Sequence, residues 1–145
     1  MSTDHAISLL LLNGGLVFFV GMLVGVPYGV LRVRGESEET LDNWRVSHAQ
    51  NLQNGMLLLI VGVCASYLEL SATLMATMTW LLVAAVYCDM VAWWIRPLTG
   101  HKGLVPDPPP LNILAFGLFN LTLIGQFSGM ALFIYGAWSR FAGTV

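Results

Sequence analysis

Ser47-His48-Ala-Gln-Asn51-Leu-Gln-Asn54-Gly55-Met-Leu-Leu-Leu-Ile60 opens a hydrophobic run that continues to Leu70, and a second run begins at Ala72 and continues to Ile95. A helix needs roughly 20 residues, rising about 1.5 Å each, to cross the hydrocarbon core of a bilayer. Each run is long enough, and the short break around Glu69-Leu70-Ser71 leaves room only for a tight turn. The pair is therefore expected to be an antiparallel transmembrane hairpin. Two further apolar stretches flank it, so spans are placed at 8–28, 47–70, 72–95 and 111–138. The expected fold class is all-α, an integral membrane four-helix bundle in a single transmembrane domain over 1–145.

Composition agrees. Of the 145 residues, 57% are hydrophobic and 10% charged, against about 25% charged in an ordinary soluble domain. Too few charges remain to solvate a globular surface. The net charge is −2 with no basic run, which argues against nucleic acid as a partner and leaves lipid as the expected surroundings. The first stretch has no basic leader and stays apolar beyond signal-peptide length, so it reads as a retained helix.

Between the spans, 32–43 is a charged loop, whereas 96–110 carries Gly100, Gly103 and Pro106-Asp107-Pro108-Pro109-Pro110. Arg32, Arg34, Arg45, Arg96 and Lys102 lie on the side of these loops, and Arg140 on the other. The positive-inside rule then puts loops 32–43 and 96–110 in the cytoplasm and both termini outside, in a bacterial-type inner membrane.

Polar groups inside the spans carry the functional signal, because each is costly to bury in hydrocarbon. His48 stands at the mouth of the second span, with Trp44 as an interfacial anchor. A neutral imidazole is a common ligand for transition-metal ions and for heme iron. The same residues also fit a histidine reaching for the interface, with Asn54 bonding a neighbouring helix. If the hairpin turns near 71 and 72, positions whose numbers sum to about 143 share a depth, which pairs Asn54 with Asp89. His48, Asn51, Asn54, Tyr87 and Asp89 are then expected to form the wall of one site. Arg96, seven residues beyond Asp89, offers it a salt link instead. Gly55, seven residues after His48, could admit a flat group or a packing helix, and Gly21 and Gly25 form a small-residue packing pair. Cys64 and Cys88 fall too far apart in depth for a disulfide and are expected to fill the core. His101 lies in the loop on the His48 side.

His48, with Asn54-Gly55 six residues on and Trp44 four before, resembles the second-helix motif of styrene oxide isomerase, a family of small four-helix membrane proteins. The chain is also similar to hydroxylaminobenzene mutase, in the pattern from Gly15 to Gly25 and in Pro97-Leu-Thr-Gly-His101-Lys-Gly103. The resemblance implies a ferric heme b ligated by His48 and acting as a Lewis acid toward a substrate oxygen. It also implies a homotrimer with heme near subunit interfaces. The implied reaction is a redox-neutral rearrangement of a small, apolar, aromatic oxygenated substrate, either epoxide to carbonyl or hydroxylaminoarene to aminophenol. Asn54 would orient the reacting oxygen, Asp89 or Tyr87 would manage charge, and Gly55 and Trp93 would border the cofactor pocket. The chain departs from the styrene oxide enzymes at Trp93, where they carry a tyrosine, and at Ala85, where they carry an aspartate. Asp89 stands one turn later, at a position that both families fill with asparagine. A non-catalytic heme- or quinone-binding subunit for electron transfer is the competing reading, and a cofactor-free helical scaffold a third.

Overall fold

The computed structural model describes residues 1–100 and 102–143. Four helices run in order: α1 (Thr3–Val33), α2 (Glu38–Cys64), α3 (Ala72–Thr99) and α4 (Pro110–Gly143). The all-α membrane bundle expected from the sequence is the architecture found. By length and apolar composition α1, α3 and α4 qualify as membrane spans. α2 falls short because it carries Glu38, Glu39, Asp42, Arg45, His48 and three asparagines.

Glycines set the packing of α1 on α2. A Cβ on Gly25 would meet His48, on Gly21 would meet Leu52, on Gly14 Leu59, on Gly62 Leu11, and on Gly55 the Phe18 backbone. Every one of these pairs of residue numbers sums to 73, so α2 retraces α1 in strict antiparallel register. α2 thus crosses the same depth as the apolar helix it pairs with. Small residues let two backbones approach where the surrounding lipid gives no hydrophobic drive to associate. α3 closes a triangle with α1 and α2 around Leu10, Val17, Leu58, Val61, Met75, Met78, Leu82 and Val86. α4 packs along α3 with its own small residues, Gly125 on Ala85 and Gly129 on Leu82. Its outer face, including Leu121, Ile124, Phe127 and Ile134, is exposed and suited to lipid or another subunit.

Boundaries depart from expectation in several places, two of them with a clear physical cause. The charged loop 32–43 is mostly helix. α1 continues to Val33, and α2 starts at Glu38 because the Ser37 hydroxyl accepts from the Thr40 N–H and caps it. Glu38 and Glu39 then sit in the first turn, where the helix dipole favours negative charge. Arg96 holds this extension down, donating to Asn43 Oδ1 at 2.7 Å and to Asp42 Oδ2 at 3.0 Å. The second departure is at the hairpin turn. α2 ends at Cys64 rather than residue 70, passing through a 3-10 turn (Ala65–Tyr67) before Ser71 caps α3. The segment between is held by α4, since the Glu69 N–H donates to the Gly136 carbonyl and Arg140 reaches the Glu69 carboxylate. α3 also runs past Pro97 and stops only at Gly100, whose φ of 76° breaks the helix.

Candidate functional site

Two polar centres occupy different faces of α2. The first is His48, half-buried, whose ring lies over Gly25 of α1, where no Cβ obstructs it. Its Nδ1 is 2.8 Å from the Gly21 carbonyl oxygen. A carbonyl only accepts, so Nδ1 carries the proton and Nε2 keeps its lone pair. This is the arrangement found behind metal-bound histidines, where a backbone acceptor fixes the tautomer and the ring plane.

The second centre is Asn54 with Asp89. The Asn54 Nδ2 donates to Asp89 Oδ2 at 2.6 Å, and both residues are buried. The depth pairing read from the sequence therefore holds. Arg96 turns instead to Asp42 and Asn43, so the salt link considered for Asp89 does not form. Asn54 Oδ1 accepts from Gln126 of α4 at 3.3 Å. Because a carboxylate accepts, the orientation of the Asn54 amide is fixed, with nitrogen toward Asp89 and oxygen toward Gln126. An interhelical hydrogen bond of this kind contributes about 0.6 kcal/mol on average, while an orphaned polar group in hydrocarbon costs several. Glycine contacts hold the helices more cheaply, so helix association alone is a poor reason for placing three polar side chains here.

A model of the family described as styrene oxide isomerase matches residues 7–138. The chain belongs to the styrene oxide isomerase family. No curated protein and no solved structure matches it. Membership in the styrene oxide isomerase family makes an isomerase of that type the coarse functional assignment.

Within this member of the styrene oxide isomerase family, Trp93 sits one turn beyond Asp89 on α3. Its ring packs edge-on against Phe119, 5.0 Å between centroids, with the Arg96 guanidinium 5.6 Å from its own centroid. Trp93, Leu104, Phe116, Phe119 and Leu123 line an apolar cavity of about 230 Å³ between α3 and α4.

Other residues go elsewhere. Tyr87 does not join the Asn54–Asp89 pair: its hydroxyl donates to Asn13 Oδ1 on α1 at 3.0 Å. Gly55 does not back a flat group either. The Phe18 backbone occupies its face, 2.5 Å from where a Cβ would stand, so the glycine serves helix packing. Asn51 donates to the Ser47 carbonyl within its own helix. Cys64 and Cys88 are free thiols, as expected from their separation. His101 lies outside the described residues. Gln126 escaped the sequence reading although the signal was present: it is a carboxamide in mid-span between Gly125 and Gly129, marked by the rule that singled out Asn54.

Proposed function

We propose that this chain is a heme-b-dependent isomerase that rearranges a small apolar aromatic epoxide or hydroxylamine without net oxidation or reduction. The observation that carries the proposal is the His48–Gly21 hydrogen bond, which prepares Nε2 as a ligand. Among the described residues no three His, Cys, Asp or Glu side chains converge. A bare ion would meet one imidazole, whereas heme brings four nitrogens of its own and would need only one donor from the protein, which His48 would supply. His48 would hold it from the Gly21–Gly25 face. When bound, ferric heme supplies Lewis acidity, polarising an oxygen of the substrate.

The chain's own residues supply position and dryness. Asn54 retains one amide hydrogen after serving Asp89, and that hydrogen is available to the substrate's oxygen. Asp89 and Gln126 keep the amide from rotating, so no reorganisation is needed as charge develops. Trp93 and Phe119 give an aromatic ring an apolar wall and exclude water. His48 and Asn54 are six residues apart, about 120° around α2. Ligand and orienting amide thus occupy separate faces of α2, each packed against a helix of the same chain, and the homotrimer implied by the family resemblance is part of this proposal.

Spectra and turnover of the purified protein test this reading. His48→Ala should remove stoichiometric heme absorbance while His5→Ala retains it. Asn54→Ala should lower turnover at least tenfold with heme content little changed, the loss of one transition-state hydrogen bond. Anaerobic ferric protein should convert its substrate to a product of equal mass. A low-spin six-coordinate heme, or a requirement for reductant or oxygen, would replace the isomerase with an electron-transfer subunit. Parallel assays on an aryl epoxide and an aryl hydroxylamine decide between the two rearrangements.

A further inference from the structure

A second cavity of about 230 Å³ lies between α1, α2 and α3 near the Arg96 end, with Val24, Pro27, Trp44, Ser47 and Pro97 among its walls and an open mouth past the exposed Leu23 and Leu98. Pro27 and Pro97, both inside helices, each lack an N–H and so leave the carbonyl four residues back without its helical donor. Ser47 is fully buried, and its Oγ has no hydrogen-bond partner among the described residues. The other buried helix hydroxyls, Thr79 and Thr122, do have one. Ser8, Thr79, Thr99 and Thr122 each donate to the carbonyl four residues before, the usual refuge of a hydroxyl inside a helix. Ser47 forgoes it and sits at the wall of an otherwise apolar chamber.

We infer that this chamber is a second binding site, for a monocyclic aromatic molecule carrying one hydrogen-bonding oxygen, held by the Ser47 hydroxyl. An engineered apolar cavity of about 150 Å³ accepts benzene, so the larger space admits a ring with a two-carbon arm and a terminal oxygen. Trp44 and Trp94 supply flat faces for the ring, and the pocket lacks charge to hold an ion. A lipid chain has no use for the hydroxyl; an aryl alcohol or carbonyl does. The site is separate from His48, which faces α1, and from Asn54, which faces α3 and α4. It does not rest on the function proposed above.

The test compares two probes on the intact protein as purified in detergent by 19F NMR, with protein-free detergent as the partition control. 2-(4-Fluorophenyl)ethanol and 1-ethyl-4-fluorobenzene share a shape but only the first has a hydroxyl. Both should bind saturably. Ser47→Ala should weaken the alcohol about tenfold, the ratio one hydrogen bond supplies, and the hydrocarbon less than twofold. Val24→Phe, filling the chamber, should remove both. Ser47→Ala has an unchanged backbone and loses an orphaned polar atom, so its melting temperature should not fall. Absence of saturable binding overturns the inference. So does an equal effect of Ser47→Ala on the two probes, or binding that survives in a folded Val24→Phe protein.

Discussion

Single atoms decide the tightest contacts. Gly55 and Gly15 lie on helices that cross the same membrane, yet a Cβ on the first meets Phe18 backbone while one on the second meets nothing within 4 Å. Gly55→Ala should therefore separate α1 from α2 and cost about 1–3 kcal/mol, read as a lower melting temperature of the detergent-solubilised protein. Gly15→Ala should be neutral or mildly stabilising. Asp89 offers a sharper contrast, because its partner is a buried amide. Asp89→Asn keeps an acceptor for Asn54 and should hold stability near wild type. Asp89→Leu strands the Asn54 N–H and should cost about 1–3 kcal/mol. A turnover loss in Asp89→Asn without a stability loss would show that the charge, and not the hydrogen bond, is what the reaction uses. The pairing of Asn54 with Asp89 was legible in the sequence because hairpin geometry fixes depth. The fates of Tyr87 and Gly55 were not, since both are decided by α1, whose rotation about its axis no hairpin rule supplies.

Helix ends are set by caps more than by hydropathy. The run 32–43 reads as loop by charge alone, but Ser37-Glu38-Glu39-Thr40 carries a capping signature, and the helix follows it. Arg96 then ties the extension to α3 through Asp42 and Asn43. Part-exposed ion pairs contribute about 1 kcal/mol or less, so global unfolding is a poor readout for this tie. Arg96→Met should instead loosen the first turns of α2 locally. Limited proteolysis should show cleavage between residues 34 and 46 rising severalfold, while the melting temperature moves little. Unchanged cleavage would mean that Ser37 and the acidic first turn suffice. At the other end, the hairpin turn departs from its expected place because α4 supplies partners, the Gly136 carbonyl and Arg140, that lie some 70 residues away in sequence.

For the whole molecule, basic residues near the helix ends argue for termini outside and the Arg96 end of the bundle in the cytoplasm. Reporter fusions at the C-terminus should be active only in the outer compartment, and cytoplasmic activity would reverse the orientation. The four-helix plan was readable from hydropathy because spans must be long and apolar. Among the described residues, the helix bearing His48 and Asn54 is the one long helix that does not qualify as a span by itself. That has a consequence for how the chain is made. A segment with this many polar side chains partitions poorly from the insertion machinery into lipid alone. Its glycine-matched partner α1 emerges first and offers an apolar surface shaped to receive it. α2 should then enter the bilayer as the second half of a preformed pair. In a glycosylation-mapping assay, a chain lacking α1 should leave α2 unintegrated, and α1 supplied as a separate fragment should restore it. Biogenesis would thus place its own limit on how polar the reactive helix can become.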